Sequence, residues 1–445
     1  MGSIDFLNAS YDLRNLRGCI ENDISKQTLN RQIVELTKEV VDKYRHEIAD
    51  IKQHGLKTTL LKDKVVDVID AKNLNYAGIS REDLIKIILD SIFGYSILQK
   101  YIEDDTVNDI MVNEFDKIFI RRGMTDTQIP EKFESQEAYI DFLNKVCAFI
   151  EGKLNASSPK VDGTDQNYNL RINITSSPIN TYSPSLIIRK SHANVDLSRV
   201  ISTDKYPEEV MKTLELMQKA GCRVVIAGPM ESGKTTFMNA YLNNITNERM
   251  VIMEDTPEVK VTNPNAVYLQ TVESKSEDAV NITLADLVRN FKRSNGTMPI
   301  VSEVRGIEAV ELLDVFNAGF TRGCTSIHAN SPIEVIRQLV FQIKASNKLG
   351  GDRTELEEYL SRTIDMIIYM EKRNIVNISE VYFDMDTRKI AIRDLHRYNI
   401  ERETKDQIIG TYETCMNPFS EKMLDRIRRA GLLNEVPENL KIENY

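Results

Sequence analysis

The chain has 445 residues, more than one hydrophobic core usually supports, and its 41% hydrophobic and 28% charged residues exclude a disordered polymer. With 67 acidic residues against 57 basic ones, a formal charge of -10, nucleic acid is disfavoured as the main partner. The five cysteines (Cys19, Cys147, Cys222, Cys324 and Cys415) form no CxxC pair, which argues against a zinc ribbon or disulfide framework and for a reducing compartment.

The opening residues, MGSIDFLNASYDLRNLRG, show no basic segment followed by an apolar run. No stretch approaches the roughly 20 apolar residues that cross a bilayer. A cytosolic protein without a transmembrane segment is expected, with any membrane contact made through a partner. From Leu29, the positions Ile33, Leu36, Val40, Tyr44, Ile48 and Ile51 recur at helical spacing, and Gly55 offers a stop. Such a helix is either a packing element or a protein-docking arm. Ser80 and Asp83 fit a capping box for the next helix, which carries Leu84, Ile87 and Ile88. From Asp104 to Lys190, short β-rich runs (DIMV, KIFIRR, NLRINI, SLIIRK) surround one helical segment, EAYIDFLNKVCAFIEG, as in an α+β module. The polar stretch SHANVDLSRVISTDKYP reads as a linker.

From Glu208 to His396 strand-like and helical runs alternate. RVVIAG precedes TTFMNAYLNN, and MVIMED follows. Leu284, Leu287, Val288 and Phe291 share one helical face, and MPIVSEV precedes IEAVELLDVFNAG, with Gly319 set to end that helix. This alternation predicts an α/β fold with a parallel sheet and crossover helices. The charged C-terminal segment contains one predicted helix, with Asn417 as cap, Pro418 at its first position and Phe419, Met423 and Ile427 on one face.

Four segments carry chemistry. GPMESGKTT, comprising Gly228, Pro229, Met230, Glu231, Ser232, Gly233, Lys234, Thr235 and Thr236, fits the P-loop pattern GxxxxGK[ST]. Its backbone N–H groups form a phosphate nest at a helix N-terminus, with Lys234 reaching the β/γ-phosphates and Thr235 holding Mg2+. Glu231 inside the loop either points outward, leaving the backbone to bind, or inward, weakening nucleotide affinity. In MVIMEDTPEV a strand ends in Glu254 and Asp255, with Glu258 after a proline turn; carboxylates there project toward a nucleotide crevice. In MPIVSEVRG an apolar strand ends in Glu303, which can orient a Mg2+-bound or attacking water, and Arg305 braces either a phosphate or the sheet edge. In GCTSIHANSP, His328 is either a structural histidine or a sensor of the γ-phosphate.

In this order the four segments resemble the secretion ATPase superfamily, the traffic ATPases of type II and type IV secretion, type IV and Tad pili, and conjugation. GPMESGKTT resembles the family's Walker A, VIMEDTPEV its Asp box, VSEVRG its Walker B and GCTSIHANSP its His box. DDTVNDIMVNEFDKIFI is similar to its N-terminal domain, and the Tad-like and conjugative branch is the nearest match. The resemblance implies a RecA-like ATPase core over residues 208–400, after a helical region (1–100), an α+β domain (101–195) and a linker (196–207), with a helical tail (401–445). It further implies ATP and Mg2+ as cofactors and a hexameric ring. It also implies an inner-membrane platform partner reached from the cytoplasmic face, and the acidic balance leads to the expectation of no direct nucleic-acid contact. The family's Walker B glutamate falls on Glu303, its Asp-box acids on Glu254, Asp255 and Glu258, and its phosphate-sensing histidine on His328. Glu303 is expected to be the main Mg2+/water carboxylate, with Glu258 as its water-activating partner. Family arginines from the N-terminal domain correspond to Arg171 and Arg189, although Arg189 also suits an ordinary linker salt bridge.

Three departures from the family pattern are expected beside the nucleotide, where they bear on turnover: Glu231 in place of glycine, RSNGTMP without an acid ahead of its strand, and AGFTRGC without a histidine. The rival to a motor is a nucleotide-binding scaffold that hydrolyses little. A ring-shaped nucleic-acid motor is a third reading, which the acidic balance opposes.

Overall fold

The computed structural model describes residues 33, 35–54, 58–72, 80–123, 125–150, 152–165, 167–190, 197–272, 281–415 and 417–441, in two compact units, Met1–Ala193 and Asn194–Tyr445. Gly55 and positions 191–196 of the expected linker lie outside the described residues.

In the first unit the N-terminal stripe is a packing face. Leu36, Val40, Ile48 and Ile51 join Val65, Val68, Leu84 and Ile88 in one buried cluster, with Tyr44 packed against it. Helix Arg81–Phe93 starts as its sequence predicts: the Ser80 side chain accepts the Asp83 N–H. A separate core belongs to an antiparallel sheet of β1 (Asp109–Glu114), β2 (Lys117–Arg122), β3 (Thr125–Gln128), β4 (Lys160–Asp165), β5 (Leu170–Thr175) and β6 (Ser185–Lys190), ordered β3-β2-β1-β6-β5-β4. Ile110, Val112, Ile172 and Ile188 pack there with Tyr139, Leu143 and Val146 of helix Gln136–Phe149. β3 (TDTQ) and β4 (KVDGTD) lack an apolar alternation and exist because β2 and β5 supply the ladder partners.

The second unit is built on β7 (Arg223–Gly228), β8 (Met250–Glu254), β9 (Ala266–Gln270), β10 (Met298–Val301), β11 (Gly323–His328), β12 (Met366–Glu371), β13 (Asn374–Asp384), β14 (Lys389–Glu403) and β15 (Ile408–Thr414). Their order is β15-β14-β13-β12-β7-β11-β10-β8-β9. The run from β12 to β9 is parallel, as expected of an α/β fold, and β13 to β15 extend it antiparallel. β7, β8 and β10 are buried throughout because helices cover both faces. Val224 and Ile226 pack on one side with helices Glu208–Ala220 and Lys234–Asn243. Val225 and Ala227 pack on the other with helices Leu284–Phe291, Ile307–Asn317 and Pro332–Ser346. β11 lies between β7, which leads into the GPMESGKTT loop, and β10, which ends just before Glu303, and this is the RecA-like strand order.

Two details of the expected helical tail are corrected. Residues 408–414 form a strand, IIGTYET, whose ladder partner is β14. The last helix is Glu421–Arg429, capped by Ser420 rather than Asn417; the Asn417 amide instead donates to the Asp394 carbonyl. Phe419, Met423 and Ile427 are buried in the same core as β7, so this helix is part of the domain. A buried charge cluster anchors it: Asp365 accepts from the Arg223 backbone and guanidinium, and Lys422 and Arg426 lie 3.1 Å from its oxygens.

Candidate nucleotide-binding site

Parallel pairing brings the carboxyl ends of β7, β11, β10 and β8 to one edge of the sheet. Gly228 pairs with His328, and Val301 with both Thr325 and Met253, so all four motifs open on one crevice. Gly228 is required by contact. A Cβ there would lie 2.3 Å from the Met370 carbonyl oxygen and 2.5 Å from Ser232 Oγ. The loop then turns through Glu231 (φ 61) and Gly233 (φ 89), and Gly233 begins helix Lys234–Asn243. Glu231 is exposed, which supports the outward reading. A glutamate in the left-handed region costs roughly 1–2 kcal/mol, which glycine would avoid.

Lys234 is 7% exposed and donates to the carbonyls of Gly228 (3.0 Å) and Pro229 (2.8 Å). Its Nζ lies 3.2 Å from His328 Nδ1. Burial, opposed by Glu303 and reinforced by Arg305, pushes its pKa down to about 8. Because an ammonium only donates, His328 Nδ1 must be the unprotonated nitrogen. Burial and the Lys234 charge also lower the His328 pKa, against the pull of Glu303. Neutral imidazole is therefore the dominant form at pH 7.

Glu303 is held by a backbone bracket: the Ser302 carbonyl accepts from Ser326 Oγ (2.6 Å), and the Val304 N–H donates to the Ser326 carbonyl (2.9 Å). Its Oε2 accepts from Arg305 at 2.6 Å. Burial raises its pKa, but the Arg305 hydrogen bond and the Arg305 and Lys234 charges outweigh this and keep it ionised. Oε1 lies 2.9 Å from His328 Nε2 but off the line of a hydrogen bond, which leaves this buried oxygen without a donor. Arg305 thus braces the Glu303 carboxylate.

The Asp-box acids separate. Glu254 is 3% exposed, and one of its oxygens accepts the N–H groups of Glu258 (3.0 Å) and Val259 (2.9 Å), which shapes the turn. Glu258 in turn accepts from the Thr235 hydroxyl at 3.1 Å. Asp255 is exposed, near enough to Arg305 to raise its pKa. Thr235 and Glu258, with the donorless oxygen of Glu303, form a hard-oxygen set that fits Mg2+, which needs only one or two protein ligands beside phosphates and waters. Among the described residues no group of three or more His, Cys, Asp and Glu makes an all-protein cage.

Arg171 and Arg189 are cross-strand neighbours in the first unit, and Arg189 donates to Asp109 at 2.9 Å. Two of the three departures are not beside the crevice. RSNGTMP and AGFTRGC precede β10 and β11, at the opposite end of the sheet from Gly228 and His328. Arg322 there donates to the carbonyls of Gln218 and Lys219 and pairs with Glu248, a helix-end role. One feature had no sequence signal: the Lys372–Arg373 turn between β12 and β13, whose Arg373 N–H donates to the Ser232 carbonyl in the loop (3.0 Å).

A family model described as Type II/IV secretion system protein matches residues 93–369. The chain is similar to a Mycobacterium tuberculosis protein named for conjugal transfer, at 24% identity over 296 residues, 65% of this chain and 83% of that one. It is similar to the type IV secretion system protein VirB11 of Brucella suis, at 32% over 178 residues, 37% of this chain and 48% of that one. The Legionella pneumophila ATPase DotB is 19% identical in sequence, with a TM-score of 0.48, over 76% of this chain and 83% of its own. Among the described residues no helix is long and apolar enough to cross a membrane.

Proposed function

We propose that this chain, which belongs to the type II/IV secretion system protein family, hydrolyses ATP with Mg2+ and works as a ring-shaped motor of a secretion, Tad-like pilus or conjugation machine. The observation that carries this reading is the linked set Lys234–His328–Glu303 beside Thr235–Glu258, five side chains from four elements within hydrogen-bonding or ion-pairing reach. The loop amides and Lys234 bind the phosphates, and Lys234 exchanges the loop carbonyls for β/γ-oxygens. Water attacks the γ-phosphorus in line. The new P–O bond forms as the bond to the β,γ-bridging oxygen breaks, and ADP keeps the electron pair. Glu303 orients the water and Glu258 is its activating partner, so the released proton leaves through these carboxylates. Mg2+, when bound, neutralises charge on the β- and γ-oxygens. Neutral His328, between Lys234 and Glu303, is positioned to register the loss of the γ-phosphate. Glu254 and Asp255 are the other carboxylates expected to hold Mg2+; exposed Asp255 is a candidate for that role, while the turn-shaping contacts of Glu254 favour a supporting one.

Arg171 and Arg189 are proposed to complete the site in the assembled ring, as the resemblance to the traffic ATPases implies. The partner is an inner-membrane platform protein, contacted from the cytoplasmic face. The rival reading, a scaffold with damped hydrolysis, draws on Glu231. Steady-state ATP hydrolysis with Mg2+, measured beside Lys234→Ala, tests the proposal. Turnover lost in the variant is the expected result, equal turnover in both would refute the site, and none in either would favour the scaffold.

A further inference from the structure

The flank of β7 opposite His328 carries a second positive group that the motifs do not include. β12 pairs with β7 in parallel up to Tyr369 and Ala227, so the turn that follows it stands beside the P-loop. That turn has two central residues, Lys372 (φ 43) and Arg373 (φ 67), closing Glu371 against Asn374. Two-residue hairpins of this geometry favour Asn-Gly. Two long cations in left-handed backbone are strained, and strain of this kind marks functional positions. The turn is bonded to the loop itself, because the Arg373 N–H donates to the Ser232 carbonyl at 3.0 Å. The Arg373 stem lies over the helix start: a Cβ on Gly233 would meet its Cγ, Cα and Cβ at 3.4–3.6 Å.

Among the described residues the charge there is only partly paired. Lys372 is paired with Glu403 at 2.7 Å, but among the described residues no ion pair engages Arg373 or Lys205. Lys205 Nζ donates to the Arg373 carbonyl at 2.5 Å. Burial and the Arg373 charge lower the Lys205 pKa. Two cations at the positive pole of a helix are unfavourable unless an anion joins them.

We propose that Arg373, with its turn fixed by Lys205 and Ser232, binds the diphosphate shared by the nucleoside triphosphate and diphosphate forms of the ligand. His328 and Glu303 lie across β7 on the β11 and β10 side, where the γ-phosphate reacts. Arg373 lies on the β12 side and meets the part of the ligand that does not change in the reaction. This inference rests on the P-loop reading above.

Titration of the full chain with fluorescent ADP and with a slowly hydrolysed ATP analogue, in Mg2+, tests it on wild type, Arg373→Ala, Arg373→Lys and Lys234→Ala. Arg373→Ala should weaken both ligands equally, by about 10- to 100-fold, and Arg373→Lys should recover part of the loss. Wild-type affinity in Arg373→Ala overturns the inference. So does a loss confined to the triphosphate, which would put the guanidinium on the γ-phosphate. Equal losses in the Ala and Lys variants also overturn it, because they leave only a packing role. Undiminished binding in Lys234→Ala would instead refute the P-loop site, and with it both readings.

Discussion

On the proposed nucleotide-binding reading, the depressed Lys234 pKa predicts an affinity that depends on pH. In the free site burial holds it at about 8. A bound diphosphate, by adding negative charge beside it, returns it toward or above its ordinary value of roughly 10.4. Binding therefore selects the protonated lysine. Affinity is fully present below about pH 8 and falls as pH rises through that value. Roughly nine-tenths of the free sites carry the proton at pH 7 and about one-tenth at pH 9, so the Kd for ADP should rise about tenfold, or ~1.4 kcal/mol. Fluorescent ADP titrations at pH 7, 8, 8.5 and 9, at fixed ionic strength, would measure this. Calorimetry in buffers of different ionisation enthalpy at pH 8.5 should show net proton uptake. Lys234→Arg, charged at every pH used, should bind with a flat profile. A flat wild-type profile, or the same slope in Lys234→Arg, would refute the argument that burial of Lys234 controls the site.

Two further predictions concern the loop and the C-terminal anchor. Glu231→Gly relieves the left-handed glutamate (φ 61), so it should raise turnover while shifting Tm by only ~2 °C, the relief being offset by the greater backbone entropy of glycine; unchanged turnover would show that Glu231 does not damp the loop. Asp365→Asn leaves Arg223, Lys422 and Arg426 without their buried anion and should destabilise the second unit by about 3 kcal/mol in thermal unfolding. Burial raises the Asp365 pKa, but the Arg223 hydrogen bond and the three cations outweigh it and bring it to about 2. Its contribution is therefore present above about pH 4 and lost as pH falls through about 2, and Asp365→Asn should flatten that part of the acid-unfolding curve.

The loop and strands that frame the candidate crevice were legible because local rules impose them. A phosphate loop needs glycines at fixed places, and Gly228 and Gly233 stand where a contact and a positive φ demand them. Continuous apolar runs such as RVVIAG and MVIME marked strands buried on both faces. The helix start at Ser80 followed from a side chain that bonds three residues on. β3 and β4 were not legible, since their residues are mainly polar and only a neighbouring ladder makes them strands, and β15, whose IIGTYET carries strand-type residues, was read as part of the helical tail.

What the sequence by itself determined is the identity and order of the phosphate loop and the carboxylates and histidine that follow it, together with the parallel α/β plan, because glycine sterics, capping and hydrophobic period act over a few residues. Only the tertiary structure decided which carboxylates face the crevice. Glu254 turns inward to its own turn, Glu258 reaches Thr235, and Glu303 is held between Arg305 and His328. It also moved Phe320 and Arg322 to the far end of the sheet and brought the Arg373 turn beside the loop. These are consequences of strand order, which joins residues far apart in the chain and leaves no local pattern to read.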